Sequence, residues 1–153
     1  MKFREASAHE YIKIYEQGYR EWAKGRSFEQ YIKDNKKEEE YGKRFIVVDG
    51  NEEIIASLIL LQFTPYLFGI GSIVVNPAFR SRGFGERIIE ECLKQQPHAA
   101  FMLYSEIGIA YYARFGFCAL PAEYQHTSQG VCMIRASKEL YGRVINEPIP
   151  AYF

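Results

Sequence analysis

Residues 68–93 read FGIGSIVVNPAFRSRGFGERIIEECL, and this stretch carries the clearest structural signals of the chain. An apolar run, 70–75, leads into Asn76-Pro77 and a turn with two arginines and two glycines, and apolar residues at helical spacing follow. The pattern predicts a strand, a basic turn and a helix in that order. The first N–H groups of a helix lack intrahelical partners, and the helix dipole favours an anion there. The stretch therefore predicts a site for a phosphate-like group.

Length and composition indicate an ordinary globular chain. It has 153 residues, 48% of them hydrophobic and 25% charged, which predicts a single domain over 1–153. Lysine plus arginine equals aspartate plus glutamate, 19 each, so no overall charge favours a nucleic acid or an acidic membrane surface. The first residues contain no apolar signal region, and no run reaches the length of a membrane span. We therefore expect a cytoplasmic protein with no nucleic-acid or membrane partner.

The cysteine pattern argues against a disulfide framework. Cys92, Cys118 and Cys132 are odd in number, widely spaced and contain no C-x-x-C pair. They are predicted to be reduced, buried thiols. No histidine or carboxylate cluster has the spacing of metal ligands, so no metal site is predicted.

Two helices are predicted in the N-terminal segment, 1–43. Ser7 begins a capping box and a helix over 7–23, and Ser27 begins a second helix that ends near residue 40. Trp22 lies beside the short loop that joins them. We expect this helical segment to line the side of the protein that receives a substrate.

The remaining elements predict one mixed sheet. After residue 43 the order is three strands, a helix, a strand, a short helix and two strands, with Pro65 and Gly69 expected to interrupt the chain before the third strand. A helix that returns the chain to the same sheet requires a parallel strand pair. The sheet is predicted to occupy residues 44–137 and the class is α+β. The tail, 138–153, is expected to pack along the surface or against a second copy, so the protein is a monomer or a homodimer.

The turn does not fit two known phosphate-binding patterns. The P-loop pattern is absent, and a dinucleotide fingerprint that begins at Gly69 fails because position 74 is valine. The remaining pattern is R-x-x-G-x-G, formed by Arg80, Gly83 and Gly85. Taken alone it also fits an ordinary connection between a strand and a helix.

The segment IVVNPAFRSRGFGERIIEECL resembles the acetyl-CoA-binding motif of the GCN5-related N-acetyltransferase (GNAT) family, and a second motif agrees. That family continues with N-x-x-A-x-x-x-Y-x-x-x-G-F, and this chain matches it at Tyr112, Gly116 and Phe117 but has Ser105 and Gly108 at the first two positions. The resemblance implies a mixed, mostly antiparallel six- to seven-stranded sheet with a central splayed parallel pair, flanked by about four helices.

The resemblance also implies a function and a cofactor site. The chain is expected to transfer an acetyl group from acetyl-CoA to a primary amine by direct attack on the thioester. The backbone of Ile73, Val74 and Val75 is expected to pair with the pantetheine arm, and Ser105 to lie near it. The turn is expected to hold the pyrophosphate through Arg80, Ser81, Arg82, Gly83, Phe84 and Gly85.

By the same resemblance, Tyr112 is the candidate acid that protonates the departing thiolate. Packing alone is the alternative role for this tyrosine. Glu106 ranks first as the base or as the anchor of a cationic substrate, although a glutamate at a helix start also stabilises the helix dipole. The other candidate bases are His98, Glu123 and His126.

Residues 103–108, LYSEIG, look like the L-Y-S-[DE]-[IV]-G run of the fungal lysine N-acetyltransferase group. Trp22 and residues 28–32 are similar to the N-terminal portion of that group. The likeness implies lysine or another small cationic amine as the acceptor, with Trp22, Tyr104 and Glu106 as substrate residues. Two other functions stay open: a non-catalytic acyl-CoA-binding module, and a protein that binds ATP or NAD at the turn.

Overall fold

The computed structural model describes residues 1–153. Seven strands are present: β1 (Lys2–Glu5), β2 (Gly42–Val48), β3 (Ile54–Thr64), β4 (Leu67–Val75), β5 (Ala100–Ser105), β6 (Cys118–Ala119) and β7 (Val131–Arg135). Five α-helices accompany them: α1 (Tyr11–Trp22), α2 (Phe28–Glu39), α3 (Phe84–Leu93), α4 (Ala110–Ala113) and α5 (Lys138–Ile145). The strand order in the sheet is β1-β2-β3-β4-β5-β7-β6. The α+β class and the seven-stranded mixed sheet are therefore confirmed.

A parallel pair lies at the centre of the strand order. β4 pairs with β5 in parallel, with Leu67–Gly69 opposite Ala100–Met102, whereas β1–β2, β2–β3, β5–β7 and β6–β7 are antiparallel. The paired region covers only three residues of each strand. Beyond it, β4 continues to Val75 and β5 to Ser105 without pairing to each other. This confirms the predicted parallel pair, and the short paired region agrees with strands that splay apart.

The chain forms two compact units. The first contains Met1–Leu61 and Ser72–Gln95, and the second contains Gln62–Gly71 and Gln96–Phe153. Each has an apolar cluster of its own, which burial from water stabilises. The cluster of the first unit comprises Ala6, Ile14, Ile46, Val48 and Ile54. The cluster of the second comprises Leu67, Ala100, Met102, Leu120, Cys132, Ile134 and Val144.

The start of the chain forms a strand that the sequence did not reveal. β1 has four residues and pairs antiparallel with β2. Arg4 donates to both carboxylate oxygens of Glu10 at 2.8 Å, and the Ser7 N–H donates to the same carboxylate at 2.9 Å, as a capping box requires. These bonds lower the pKa of Glu10 to about 2, chiefly through Arg4. The strand is thereby tied to the start of the helical segment.

Arg44 is a buried cation in β2. It is 1% exposed, its Nε donates to the Glu39 carboxylate at 2.6 Å, and its Nη2 donates to the Asn35 Oδ1 at 2.8 Å. The Tyr15 hydroxyl donates to the same carboxylate at 2.7 Å. Strand β2 is thus joined to both N-terminal helices through one fully paired polar cluster.

Gly69 does not interrupt the third predicted strand, because β4 begins at Leu67 and runs through it. A Cβ atom at Gly69 would lie 2.6 Å from the Phe63 ring and 2.8 Å from the Phe153 ring. These two rings have centroids 5.1 Å apart. Glycine is therefore needed here for close packing, and the prediction of a chain break was wrong.

Replacing Gly69 with alanine is expected to destabilise the protein by about 1–3 kcal/mol, because the added methyl group must displace the Phe63 or Phe153 ring. Urea unfolding measures the effect. Gly142→Ala is the matched control, since a Cβ there meets nothing within 4 Å and the glycine lies inside α5. That control is expected to keep or raise stability, because alanine is the better helix former. Equal stability of the Gly69→Ala variant and the wild type would contradict the packing argument.

The tail contains a helix, α5, which the sequence prediction missed. Ser137 caps it, because its Oγ accepts a hydrogen bond from the Leu140 N–H at 3.2 Å. Val144 is buried, and Leu140 packs against the cluster of the second unit. The cap and the spacing of these two apolar residues were the available signals for a helix.

The cysteine prediction is partly wrong. Cys92 and Cys132 are buried, and burial raises the pKa of their thiols to about 12 and about 11, respectively. Cys118 is exposed, because it lies on the two-residue strand β6.

None of the helices combines the length and the apolar character that a membrane span requires.

Candidate active site

The predicted phosphate turn contains two residues with positive φ and ends at the start of α3. Gly83 is the N-cap of α3 and adopts a left-handed conformation with φ of 82°, and Ser81 also has a positive φ, 63°. Because the cap is a glycine, no side chain accepts from the first helical N–H groups. The first bond into the helix runs from the Arg87 N–H to the Gly83 carbonyl, at 3.0 Å. The first amides of α3 are therefore suited to an anion.

Aromatic rings and a side-chain cap support the turn. Phe79 and Phe84 meet edge to face with centroids 6.1 Å apart, and the Arg82 guanidinium lies 5.6 Å from the Phe79 ring. The Asn76 Oδ1 accepts from the Ala78 N–H at 3.1 Å, which closes the short turn after β4. The turn is consequently held by its own residues.

Arg80 has a partner that the sequence did not indicate. Its guanidinium forms an ion pair with the Glu21 carboxylate near the end of α1, and the Arg80 side chain is 50% exposed. A phosphate contact from this side chain thus competes with Glu21. The role predicted for Arg80 stays a prediction.

The last residues of β4 carry the predicted pantetheine contacts. Ser72 has a φ of 50°, and such a conformation within a strand is typical of a β-bulge, which bends the strand. After it, Val74 is buried whereas Ile73 and Val75 are half-buried. The residue with positive φ thus comes immediately before the three residues that were predicted to pair with a ligand.

Tyr112 lies in the second unit, on the short helix α4. Its ring meets Tyr111 edge to face at 5.1 Å and Phe117 at 6.4 Å. Its pKa is raised to about 12 by burial, and the Tyr111 phenol and the Glu106 carboxylate add to the effect. Gly116, with φ of 91°, turns the chain after the helix. The phenol therefore holds its proton at neutral pH, as a general acid must.

Ser105 builds the turn between β5 and α4. It is 2% exposed, its hydroxyl donates to the Gly108 carbonyl, and its Oγ accepts from the Ile107 N–H at 3.3 Å. Gly108 allows the turn through a φ of 86°. Because the hydroxyl hydrogen is used within the turn, the predicted contact of Ser105 with pantetheine has to come from its remaining lone pair.

Tyr104 and Glu106 are brought together by the end of the chain. The Tyr104 hydroxyl donates to the Pro150 carbonyl at 2.6 Å, and burial raises the pKa of Tyr104. Glu106 is exposed and accepts a hydrogen bond from the Tyr152 hydroxyl. The sequence analysis named Tyr104 and Glu106 as candidate substrate residues but did not indicate the tail residues that contact them.

Trp22 is the last residue of α1. Its Nε1 is buried without a hydrogen-bond partner, and the Lys24 ammonium lies 5.7 Å from the ring centroid. A buried N–H group without a partner is rare and costly in a folded protein.

The remaining candidate bases, His98, Glu123 and His126, are exposed. No group of histidine, cysteine and carboxylate side chains in the structure could hold a metal ion.

The seven-stranded α+β sheet with its parallel pair, and the R-x-x-G-x-G turn at the start of α3, define an acetyltransferase type of protein. A family model described as "Acetyltransferase (GNAT) family" matches residues 8–117, which is more than half of the chain. The chain belongs to this family and is an N-acetyltransferase by class.

Solved structures share the fold at low sequence identity. Tetrahymena GCN5 is 15% identical, with a TM-score of 0.70 over 99% of this chain and 100% of that chain. An aminoglycoside 6'-N-acetyltransferase complexed with coenzyme A is 12% identical, with a TM-score of 0.69 over 88% and 96% of the two chains. A spermidine N-acetyltransferase SpeG chimera from Vibrio cholerae and hSSAT is 16% identical, with a TM-score of 0.67 over 93% and 98%. No protein with a curated description matches the sequence.

Proposed function

We propose that this protein transfers the acetyl group of acetyl-CoA to a primary amine, and that the acceptor is lysine or another small cationic amine. The observation that carries the proposal is the start of α3, where the left-handed Gly83 leaves the first helical amides without a side-chain cap. Residues 1–153 work as one acetyltransferase domain. Balanced charge and unpaired thiols support a cytoplasmic protein that acts on neither nucleic acid nor membrane. It acts as a monomer or a homodimer.

The cofactor contacts come from the first unit. The amides of the turn and of the first helical residues bind the pyrophosphate, because the helix dipole and unpaired N–H groups favour its charge. The backbone of residues 73–75 pairs with the pantetheine arm as an added strand. The Val75 amide donates to the thioester oxygen and stabilises the negative charge that develops there. Ser81 and Arg82 complete the turn.

Acetyl transfer requires two proton movements. The acceptor ammonium first loses a proton, to Glu106 if this residue is the base, or to a water molecule if Glu106 anchors a cationic part of the substrate. Its nitrogen then attacks the thioester carbon, so that a C–N bond forms and the C–S bond breaks. The departing thiolate takes a proton from Tyr112, which regains one as the new amide nitrogen releases its own proton to solvent. The pKa of Tyr112, about 12, lies far above neutral pH, so the phenol carries its proton at the start of each turnover.

The residues proposed to contact the acceptor can bind a cation or donate a hydrogen bond to an oxygen atom. In the second unit, Glu106 supplies a negative charge and Tyr104 an aromatic ring. Trp22, a predicted substrate residue of the first unit, has a buried N–H with no protein partner. An amino acid such as lysine presents both an ammonium group and carboxylate oxygens. The LYSEIG run at 103–108 supports lysine by its likeness to the fungal lysine N-acetyltransferases, and two structural neighbours are named as acetyltransferases of amines.

Two measurements test the proposal. Thermal shift with acetyl-CoA, ATP and NAD is expected to show a rise in melting temperature with acetyl-CoA alone, because a ligand of the folded state stabilises it. A panel of amines that includes lysine then identifies the acceptor, with the acetylated product measured by mass. Product detection is preferable to a thiol reagent, because the exposed Cys118 also reacts with such reagents. A shift with ATP instead of acetyl-CoA would contradict the proposal, and acetyl-CoA binding without turnover would indicate a sensor.

Replacing Gly83 with alanine is expected to weaken acetyl-CoA binding about tenfold, because a side chain strains the left-handed cap by about 1–2 kcal/mol and shifts the amides. Titration calorimetry measures the dissociation constant. Gly25→Ala is the matched control, since Gly25 has a nearly equal φ, 78° against 82°, and both positions have open space for a Cβ. The control is expected to lose similar stability and to keep its affinity for acetyl-CoA. Equal affinities of both variants and the wild type would remove Gly83 from the cofactor site.

A further inference from the structure

The segment after α5, residues 146–153, is fixed to the second unit by hydrogen bonds and aromatic contacts. The Tyr66 hydroxyl donates to the Glu147 carboxylate, and the Tyr104 hydroxyl donates to the Pro150 carbonyl at 2.6 Å. The centroid of the Phe153 ring lies 5.1 Å from that of Phe63 and 5.2 Å from that of Tyr104. The segment is thereby positioned against the end of β5.

Tyr152 is the residue of this segment that reaches the candidate acceptor residues. Its hydroxyl donates to the Glu106 carboxylate, and its ring meets Tyr104 with centroids 5.4 Å apart and an angle of 66° between the planes. One carboxylate and two phenol rings are consequently held together. The hydrogen bond also fixes the direction of an exposed side chain that would otherwise sample several rotamers.

We propose that Tyr152 is a specificity-determining residue for the acceptor: with Tyr104 and Glu106 it forms a subsite for a second ammonium group, which selects amines that carry two positive charges. This inference rests on the proposed function and extends it to the end of the chain. Neither motif of the family includes Tyr152.

The chemistry of the cluster supports an ammonium ligand. A carboxylate beside aromatic rings attracts a cation through its charge and through the ring quadrupoles. The nitrogen that attacks the thioester must be neutral at that moment, so an ammonium that stays bound to Glu106 is a different nitrogen of the same molecule. The Glu106 charge also acts on the Tyr112 phenol, which places the subsite within electrostatic reach of the candidate acid. A diamine can therefore present one nitrogen for reaction while the other is held.

The test compares diamines with monoamines of equal length. Putrescine and cadaverine are measured against n-butylamine and n-pentylamine at saturating acetyl-CoA, with wild type, Tyr152→Phe and Tyr152→Leu. In wild type the kcat/KM of each diamine is expected to exceed that of its monoamine about tenfold. Tyr152→Phe, which loses one hydrogen bond to a charged group, is expected to raise KM for the diamines about tenfold. Tyr152→Leu is expected to abolish the preference, so that the kcat/KM of each diamine falls to that of its monoamine, while KM for acetyl-CoA stays unchanged.

Tyr66→Phe is the matched control, because it removes another hydrogen bond of the same segment and leaves Tyr152 in place. This variant is expected to keep the preference for diamines. An equal loss in Tyr66→Phe and Tyr152→Phe would overturn the proposal, since loosening of the segment would then explain both. Faster turnover of every amine in Tyr152→Leu would also overturn it, because the segment would then only cover the site.

Direct binding separates this inference from the proposed function. Cadaverine is titrated by calorimetry into the protein without acetyl-CoA, beside n-pentylamine. Tighter binding of cadaverine that is lost in Tyr152→Leu supports the subsite even if no amine is acetylated. Equal binding of the two amines, or cadaverine binding that Tyr152→Leu leaves unchanged, would overturn the subsite while acetyl transfer still stood.

Discussion

Replacing Tyr112 with phenylalanine is expected to lower kcat for acetyl transfer about a hundredfold or more, because the departing thiolate loses its proton donor. The affinity for acetyl-CoA is expected to stay unchanged, since the proposed pyrophosphate and pantetheine contacts are backbone groups of the first unit. Steady-state kinetics gives kcat, and calorimetry gives the dissociation constant. Turnover of the variant within threefold of wild type would remove Tyr112 from the mechanism.

Tyr111→Phe is the control for this experiment. Tyr111 lies on the same helix and touches the Tyr112 ring at a centroid distance of 5.1 Å, so the variant removes a neighbouring hydroxyl and leaves the candidate acid. It is expected to retain wild-type kcat within about threefold. If both variants lose turnover equally, packing of α4 and not proton donation would explain the result.

The pH profile gives an independent test of the acid. The protonated phenol is the active form, so its contribution is lost as the pH rises through the pKa of Tyr112, which is about 12. No loss is therefore expected near pH 10, about the ordinary pKa of a tyrosine. A descending alkaline limb centred near pH 10 that disappears in Tyr112→Phe would contradict the raised pKa.

Replacing Arg44 with methionine is expected to destabilise the protein by about 3–5 kcal/mol, because removing one partner of a buried ion pair leaves the other without compensation. Arg44 is 1% exposed, and the variant leaves the Glu39 carboxylate and the Asn35 Oδ1 without their guanidinium donor. Urea unfolding measures the change in free energy. The effect is large because Tyr15 alone then satisfies the carboxylate.

A double variant and a surface pair complete this experiment. Arg44→Met combined with Glu39→Gln is expected to be more stable than Arg44→Met alone, because the buried charge is then removed as well. Lys94→Met breaks an exposed pair with Glu91, where Lys94 is 71% exposed, and is expected to cost less than about 1 kcal/mol. Equal effects of Lys94→Met and Arg44→Met would show that burial is not the cause.

Local signals predicted much of the fold. Ser7 and Ser27 were identified as helix caps, and the start of α3 followed from Gly83, because each signal depends on residues only three or four positions apart. β1 was missed because a strand of four residues is too short for a clear alternation. The role of Gly69 was misjudged because the Phe153 ring, which leaves no room for a side chain at this position, lies far away in the sequence.

The candidate site was predictable in its motif residues and not in their partners. The turn at 80–85 and Tyr112 follow from two short motifs. The ion pair of Arg80 with Glu21 joins residues 59 positions apart, and the bond from Tyr152 to Glu106 joins residues 46 positions apart. Sequence spacing carries no information on such contacts, because they depend on the tertiary fold. The Trp22 Nε1 without a partner is likewise visible only in the structure.

The division of the chain into two units has a consequence for its synthesis. The first unit is complete once residue 95 has left the ribosome, whereas the second combines residues 62–71 with residues 96–153. The bond between Tyr66 and Glu147 spans 81 positions, and contacts of that separation form slowly. During translation the apolar residues at 67–71 are therefore made before strands β5 and β7 and helix α5, with which they form one unit. In this interval their apolar surface is exposed, so the nascent chain is then most prone to aggregation and benefits most from binding a chaperone.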